Sequence, residues 1–269
     1  TLAEIGNADV DTARHVIVNA FSQRDAKTES GQLAVALLAG GGSVAEATIE
    51  GDVDALVKSG ADIEAGNDVI SGDVIVLANS KNTTNVDAKG TGIGLLAGTG
   101  VDADARVEVN LDASIGNADV DASRHVWVKA QSFGDSNAFS DGLAIGLGAV
   151  GAALSDATVH GTTNARIGNS AVVDAGAPGI SGDVIVQADT VNPTGNDVTN
   201  LATAVADATG VGLVGGAGAD SDANVNMDYK ASVGTAEVTA TRKITIDADS
   251  RNKTNSQADG TAAGLFAGG

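Results

Sequence analysis

The segment IGNADVDTARHVIV at residues 5–18 returns as IGNADVDASRHVWV at 115–128, identical at 11 of 14 positions and displaced by 110 residues. The string ISGDVIV at 70–76 recurs unchanged at 180–186, the same distance on. Such recurrence restricts a chain to architectures in which one unit stacks on copies of itself. Each long unit holds a weaker half-repeat, seen at Val16-Ile17-Val18, Val74-Ile75-Val76, Val126-Trp127-Val128, Val184-Ile185-Val186 and Ile244-Thr245-Ile246. The steps between these triplets are 58, 52, 58 and 60 residues. Ile115 matches Val233 at an offset of 118, so eight residues are inserted between 187 and 212, near VNPTGND. An insertion tolerated there marks a loop outside the stacked framework.

Alternation supplies the secondary structure. In VDADARVEVNLDAS (101–114) every odd residue is apolar and every even one is Asp, Arg, Glu, Asn or Ser. The copy ADSDANVNMDYKAS (219–232) keeps that phase except at Ser221. Period two means β-structure with one buried face, whereas on a helix the same acids would point in all directions. The expected fold is therefore all-β, a parallel β-helix or β-solenoid, continuous over 1–269. Its units are approximately 1–57, 58–114, 115–167, 168–232 and 233–269. Both ends fall inside the pattern, as expected for an excerpt of a longer repetitive chain. By analogy with other β-helices each half-repeat is expected to make three coils of roughly 19 residues, some fourteen in all, forming a rod of roughly 65–70 Å.

Composition narrows the partners. Asp plus Glu is 35 against 15 Lys plus Arg, a net charge of −20, which repels nucleic acid and anionic membrane surfaces. There is no cysteine, so stability must come from hydrogen bonds and burial. Four Phe, one Trp and one Tyr accompany 36 Gly, with Ala and Val dominating the apolar residues; a core of such small side chains is thin and favours stacked sheets. The longest apolar tract, GLAIGLGAVGAAL at 142–154, is too short and too Gly-rich to span a bilayer, so no membrane insertion is expected, and no signal peptide is visible.

The order of strand, polar stretch, Gly/Ala-rich stretch, A-x-A alternation, IGNADVDA (115–122) and GDVIV (72–76, 182–186) resembles the repeats of giant bacterial filamentous adhesins, of the filamentous-haemagglutinin and leukotoxin-like filamentous type. That resemblance covers the whole chain. It implies a right-handed parallel β-helix on the bacterial cell surface, extracellular and exported within a much longer polypeptide, with no catalytic residues.

The tracts GQLAVALLAGG (31–41), GTGIGLLAGTG (90–100), GLAIGLGAVGA (142–152) and TGVGLVGGAG (209–218) are small or apolar at both parities. A strand with two apolar faces needs cover on both. Either the coil folds over and buries it, or it forms a lateral contact through Leu37, Leu38, Ile93, Leu95, Leu96, Ile145, Leu147, Leu213 and Val214. The expected partner is another copy of the chain, lateral or end to end; a host or cell-surface receptor stays unspecified.

Asp102, Asp104, Glu108, Asp220, Asp222 and Asp228 lie on the outward parity. Among them Asp102, Asp104, Asp220 and Asp222 are candidate calcium ligands, calcium being the one cofactor considered. GGAGADSDA (215–223) opens like a calcium-binding toxin repeat but has Asp222 where a large apolar residue belongs, so solvated acids are the plainer account. His15 and His125 occupy equivalent outward positions, His160 is alone, and Lys243 replaces the histidine in the fifth unit, which gives no converging metal site. Asn82 and Asn252 head N-x-T sequons expected in exposed corner loops, as glycan acceptors or as turn-forming residues. Trp127 replaces Ile17 on an outward position as a candidate interface anchor. Six scattered aromatics and no convergent acid–base group argue against an enzyme. The expected function is a structural fibre segment that associates laterally through the Gly/Ala/Leu tracts. The alternatives are the stalk of an adhesin whose binding domains lie elsewhere and, last, a polysaccharide-active β-helix.

Overall fold

The computed structural model describes residues 1–191 and 198–268. The chain enters through β1 (Leu2–Ile5) and β2 (Asp9–Thr12) and then repeats one plan. The first full turn is β3 (Val16–Val35), β4 (Leu38–Val57) and β5 (Asp62–Ala65). The second is β6 (Val74–Ile93), β7 (Leu96–Ile115) and β8 (Asp119–Ala122). The third is β9 (Val126–Ile145), β10 (Gly148–Ile167) and β11 (Val172–Ala175). In the fourth the leading strand is split into β12 (Asp183–Thr190) and β13 (Asn200–Val211), followed by β14 (Val214–Val233) and β15 (Glu237–Ala240). β16 (Lys243–Asp249), β17 (Asn252–Ala263) and β18 (Phe266–Gly268) form the fifth. The described residues contain no helix.

Equivalent strands stack in three parallel sheets. β1-β4-β7-β10-β14-β18 form one long face; β3, β6 and β9, then β12 with β13, then β16 with β17, form the other; β2-β5-β8-β11-β15 form a short third sheet. The chain is thus a parallel β-solenoid. Its coil is larger than expected. A full turn takes the whole half-repeat, not a third of it, because the period-two pattern runs through two strands of 20 residues with one two-residue turn between them. At ~3.3 Å per residue each long strand spans roughly 66 Å, while six strands at ~4.8 Å reach only about 24 Å along the stacking axis. Large dimension and stacking direction are exchanged relative to the expectation of a slender rod.

The 110-residue period is two turns of unequal length. Val16 pairs with Val74 and Val74 with Val126, offsets of 58 and 52 residues. The difference lies after the short strands, where residues 66–73 separate β5 from β6 but only 123–125 separate β8 from β9. Gly66 (φ 82°) and Gly176 (φ 102°) open the two long corners in a conformation that side-chain-bearing residues avoid. The eight-residue insertion also appears in the register. Thr190 faces Ser132 at offset 58 and Leu201 faces Asp135 at offset 66, so eight extra residues lie between them (66 − 58). The VNPTGND string placed there falls, at 192–197, outside the described residues.

The two long faces enclose the core, and their inward residues change along its width. Next to the short sheet the interior is aliphatic, with Val53, Ile63, Leu111, Ile115, Val120 and Ile167 fully buried. At the far margin only Ala97, Ala144 and Ala149, or Ala153, Ala206 and Ala208, cluster. There a Cβ added to Gly92 would lie 3.0 Å from the Gly98 carbonyl oxygen of the opposite face, and one added to Gly142 2.9 Å from that of Ala152. Large side chains hold the sheets apart at one end and glycine lets them close at the other. Between these ends runs a polar seam. Thr84 donates to Ser136 (3.0 Å), Thr163 to Ser132 (2.9 Å), and the Ser140 and Ser155 hydroxyls pair at 2.8 Å. This seam corrects the sequon expectation: KNTTN is the middle of β6, and Asn82 is 1 % exposed with its side chain between the sheets, out of reach of a glycosyl donor. Asn252 sits at the equivalent register on the last turn and accepts a hydrogen bond from Asn200 at 3.0 Å.

Candidate functional site

Each pair of long strands is joined by a two-residue arch, Ala36-Leu37, Gly94-Leu95, Gly146-Leu147, Gly212-Leu213 and Gly264-Leu265. Backbone bonds tie every arch to its neighbours: Gly94 N–H donates to Ile145 at 3.0 Å and Leu96 N–H to Leu37 at 3.1 Å, with counterparts on the following turns. With the backbone so committed and the inner side filled by Gly and Ala, the leucines project outward. Leu37 and Leu38 are 71 % and 72 % exposed, and Leu95, Leu96, Leu147, Leu213 and Val214 each about half or more. Ile93 and Ile145 stand beside them, also exposed. All nine residues expected to mediate lateral contact therefore lie on one narrow edge. Of the two accounts of the Gly-rich tracts, each holds for one face: the inward parity is covered by the opposite sheet and the outward parity is open. Leu33, Val35, Val44, Val150, Leu154 and Phe266 extend the patch and were not singled out from sequence, although they share its outward parity.

This edge is also uncharged. Residues 30–45, 90–101, 142–155, 208–219 and 260–269 contain no Asp, Glu, Lys or Arg. The opposite edge is the reverse. Asp9, Asp62, Asp119 and Glu237 form one outward column of the short sheet, and Asp11, Glu64, Asp121 and Asp174 the next. Burial, then Asp174 and Asp119, push the Asp121 carboxyl upward. The long corners 66–71 and 176–181 project here two turns apart and leave a cleft of about 550 Å³ lined by Glu64, Asp68, Val69, Asp121 and Pro178.

A charged tie runs from turn to turn just inside that edge. Arg124 donates from Nε to Asp73 Oδ1 (2.8 Å) and from Nη2 to Oδ2, and the His125 N–H adds a third bond at 3.1 Å. On the other side Asp73 N–H donates to His15 Nδ1 at 3.1 Å. Two turns on the set recurs: Arg242 holds Asp183 through both guanidinium donors, and Asp183 N–H donates to His125 Nδ1 at 3.0 Å. Burial alone would raise the Asp73 carboxyl, but the bonds and charge of Arg124 outweigh it and hold that carboxyl below the ordinary range. Asp183 is lowered chiefly by Arg242, against a smaller effect of desolvation. His15 and His125 thus serve as acceptors for the next turn's amide. Sequence inspection placed them outward; the missed signal was Arg-His (14–15, 124–125) alternating with Gly-Asp (72–73, 182–183) in successive half-repeats.

The candidate calcium ligands stay on outward columns but do not converge. Leu154 stands between Asp102 and Asp220, and Asp156 between Asp104 and Asp222. Among the described residues no three His, Cys, Asp or Glu side chains form a set able to hold a metal ion. Asp104 is pushed up by burial, and Asp156 and Glu46 on the adjacent turns add to this against Arg106. Trp127 is half-buried on the outer face, stacked on His125 with centroids 5.7 Å apart and capped by the Lys129 ammonium at 4.8 Å, so its ring is engaged within the chain. Compared with known proteins, the chain matches no family model, no curated protein and no solved structure.

Proposed function

We propose that the chain is a structural segment of an extracellular fibre of the bacterial surface and associates laterally with other copies through its arch edge. One observation carries this: every turn presents outward-facing Leu, Ile or Val at the same uncharged arch, on a chain whose remaining surface carries the net charge of −20. Contiguous exposed apolar patches of this kind are typical of contact surfaces. Like-charge repulsion opposes approach of two copies by any other side. Nothing in the parallel stack requires a reaction centre, and its axial hydrogen bonds suit a load-bearing element. An adhesin stalk with binding domains elsewhere would use the same axial bonding; the arch edge favours lateral assembly.

Sedimentation of the chain against Leu95→Lys/Leu147→Lys/Leu213→Lys tests this. The parent should associate increasingly with concentration and more strongly as salt screens the acids. The triple variant, with an unchanged circular dichroism spectrum, should stay monomeric. A parent that remains monomeric in high salt, or a variant that associates equally well, would overturn the proposal.

A further inference from the structure

The surface beside the arch is self-complementary, which indicates how two copies meet. On the outer face of the sheet containing β4, β7, β10 and β14, the column next to the arch is a ridge of Leu38, Leu96, Val214 and Phe266. The next two columns form a groove whose floor includes Gly40, Gly98 and Gly216, then Gly42, Gly100 and Gly218. A Cβ built on Gly40, Gly100 or Gly218 meets nothing within 4 Å, so the groove is open to a partner's side chains. Carboxylates begin only beyond it, at Asp102 and Asp220 and then at Glu46, Asp104, Asp156 and Asp222. On the other long face charge begins closer to the arch, at Lys89, Asp141 and Asp207.

The third turn inverts the pattern. Its ridge position is Gly148, which lacks a side chain, and its groove position is Val150, 60 % exposed. A knob thus stands where the other turns have a hole, and a hole where they have a knob. Such an exchange is complementary to itself only when the third turn of one copy faces the third turn of another.

We infer that two copies pack face to face across this margin, about a two-fold axis parallel to the stacking axis, each laying its Leu/Val ridge in the other's glycine groove. The inference rests on lateral association and names its geometry. A two-fold in this direction opposes ridge to groove, keeps turn level with turn, inserts each Val150 opposite the other Gly148, and leaves both sets of carboxylates beyond the partner's arch in water. An overlap of roughly 15 Å across and about 24 Å along the axis covers some 350 Å² per copy, under half of the ~800 Å² usual for one side of a stable interface. Association of this segment is therefore weak, and it strengthens with every added turn.

The experiment fills the groove with Gly100→Leu/Gly218→Leu and, as a gentler step, Gly100→Ala/Gly218→Ala, reading the association constant by sedimentation and the monomer by its unfolding midpoint. The leucines add apolar surface, so a loss of association can only be steric. We expect weakening of about tenfold or more with Leu and a smaller loss with Ala, the scale of an overpacked contact. Solution scattering should give an assembly about 115 Å across, two ~66 Å widths less the overlap, rather than the ~130 Å of arches meeting tip to tip. Unchanged or stronger association of the Leu variant, alongside loss in the arch-lysine variant, would overturn this geometry while leaving lateral association intact. A parent chain that never associates would instead overturn the lateral proposal itself.

Discussion

The two ends of the coil cross-section are built by opposite means from one alternating pattern. At the corner end the inward residues are Val, Ile and Leu, and the outer edge is a double column of acids beside the Arg124–Asp73–His15 tie. At the arch end the inward residues are Gly and Ala, the outward ones are Leu, Ile and Val, and charge is absent. The first end keeps its large side chains and therefore supplies most of the apolar burial that holds the stack together. The second buries little, and its apolar residues face outward. Cohesion and exposure are separated along one strand about 66 Å long.

Truncating one large side chain at each end tests this contrast most strongly. Leu111→Ala, deep in the corner-end core, should lower stability by about 2–5 kcal/mol in denaturant unfolding. Leu95→Ala at the arch should stay within about 0.5 kcal/mol of the parent while weakening association. Equal losses at both sites would mean that the ends share the burden. A smaller effect sharpens the picture of a closed, thin interior: Gly142→Val places its Cβ 2.9 Å from the Ala152 carbonyl oxygen, and should cost about 1–3 kcal/mol by overpacking. An unaltered unfolding midpoint would show that the sheets part freely there.

The weakest effect concerns the charged tie and is read through pH. The lowered Asp73 carboxyl contributes stability that is fully present above the ordinary carboxylate value of about 3.9 and disappears as pH falls through its lowered folded-state value. Asp73→Asn should therefore cost about 1 kcal/mol at pH 7, solvent screening of Arg124 included, and the difference from the parent should close only below about pH 4. Urea titrations of both chains from neutral to acid pH give the comparison. Parallel curves over the whole range would remove Arg124–Asp73 as a stabilising contact.

Much of the outline was readable because its signals are local. The Asp–Ala alternation of 101–114 is β7, and the matching copies at 5–18 and 115–128 begin at equivalent stations two turns apart. The nine candidate contact residues were found from the same parity, since a tract apolar on both faces has only one to bury. Coil size was misjudged because inward Ser, Thr and Asn in KNTTN look like a corner until Thr84 and Asn82 are seen facing the interior. The Arg-His and Gly-Asp dipeptides stood in plain view but acquire meaning only when alternate turns meet.

Sequence alone determined that the chain is β-structure, that its units stack in parallel, and which residues alternate in and out, because period and repeat spacing are properties of neighbouring residues. Only the tertiary structure decided that one half-repeat makes one wide turn, that the sheets converge on the glycines, and that leucines from five turns share an edge. Those outcomes depend on which strand lies across the sandwich and which corner lies on the turn above, contacts between residues 50 to 60 positions apart that no local pattern encodes.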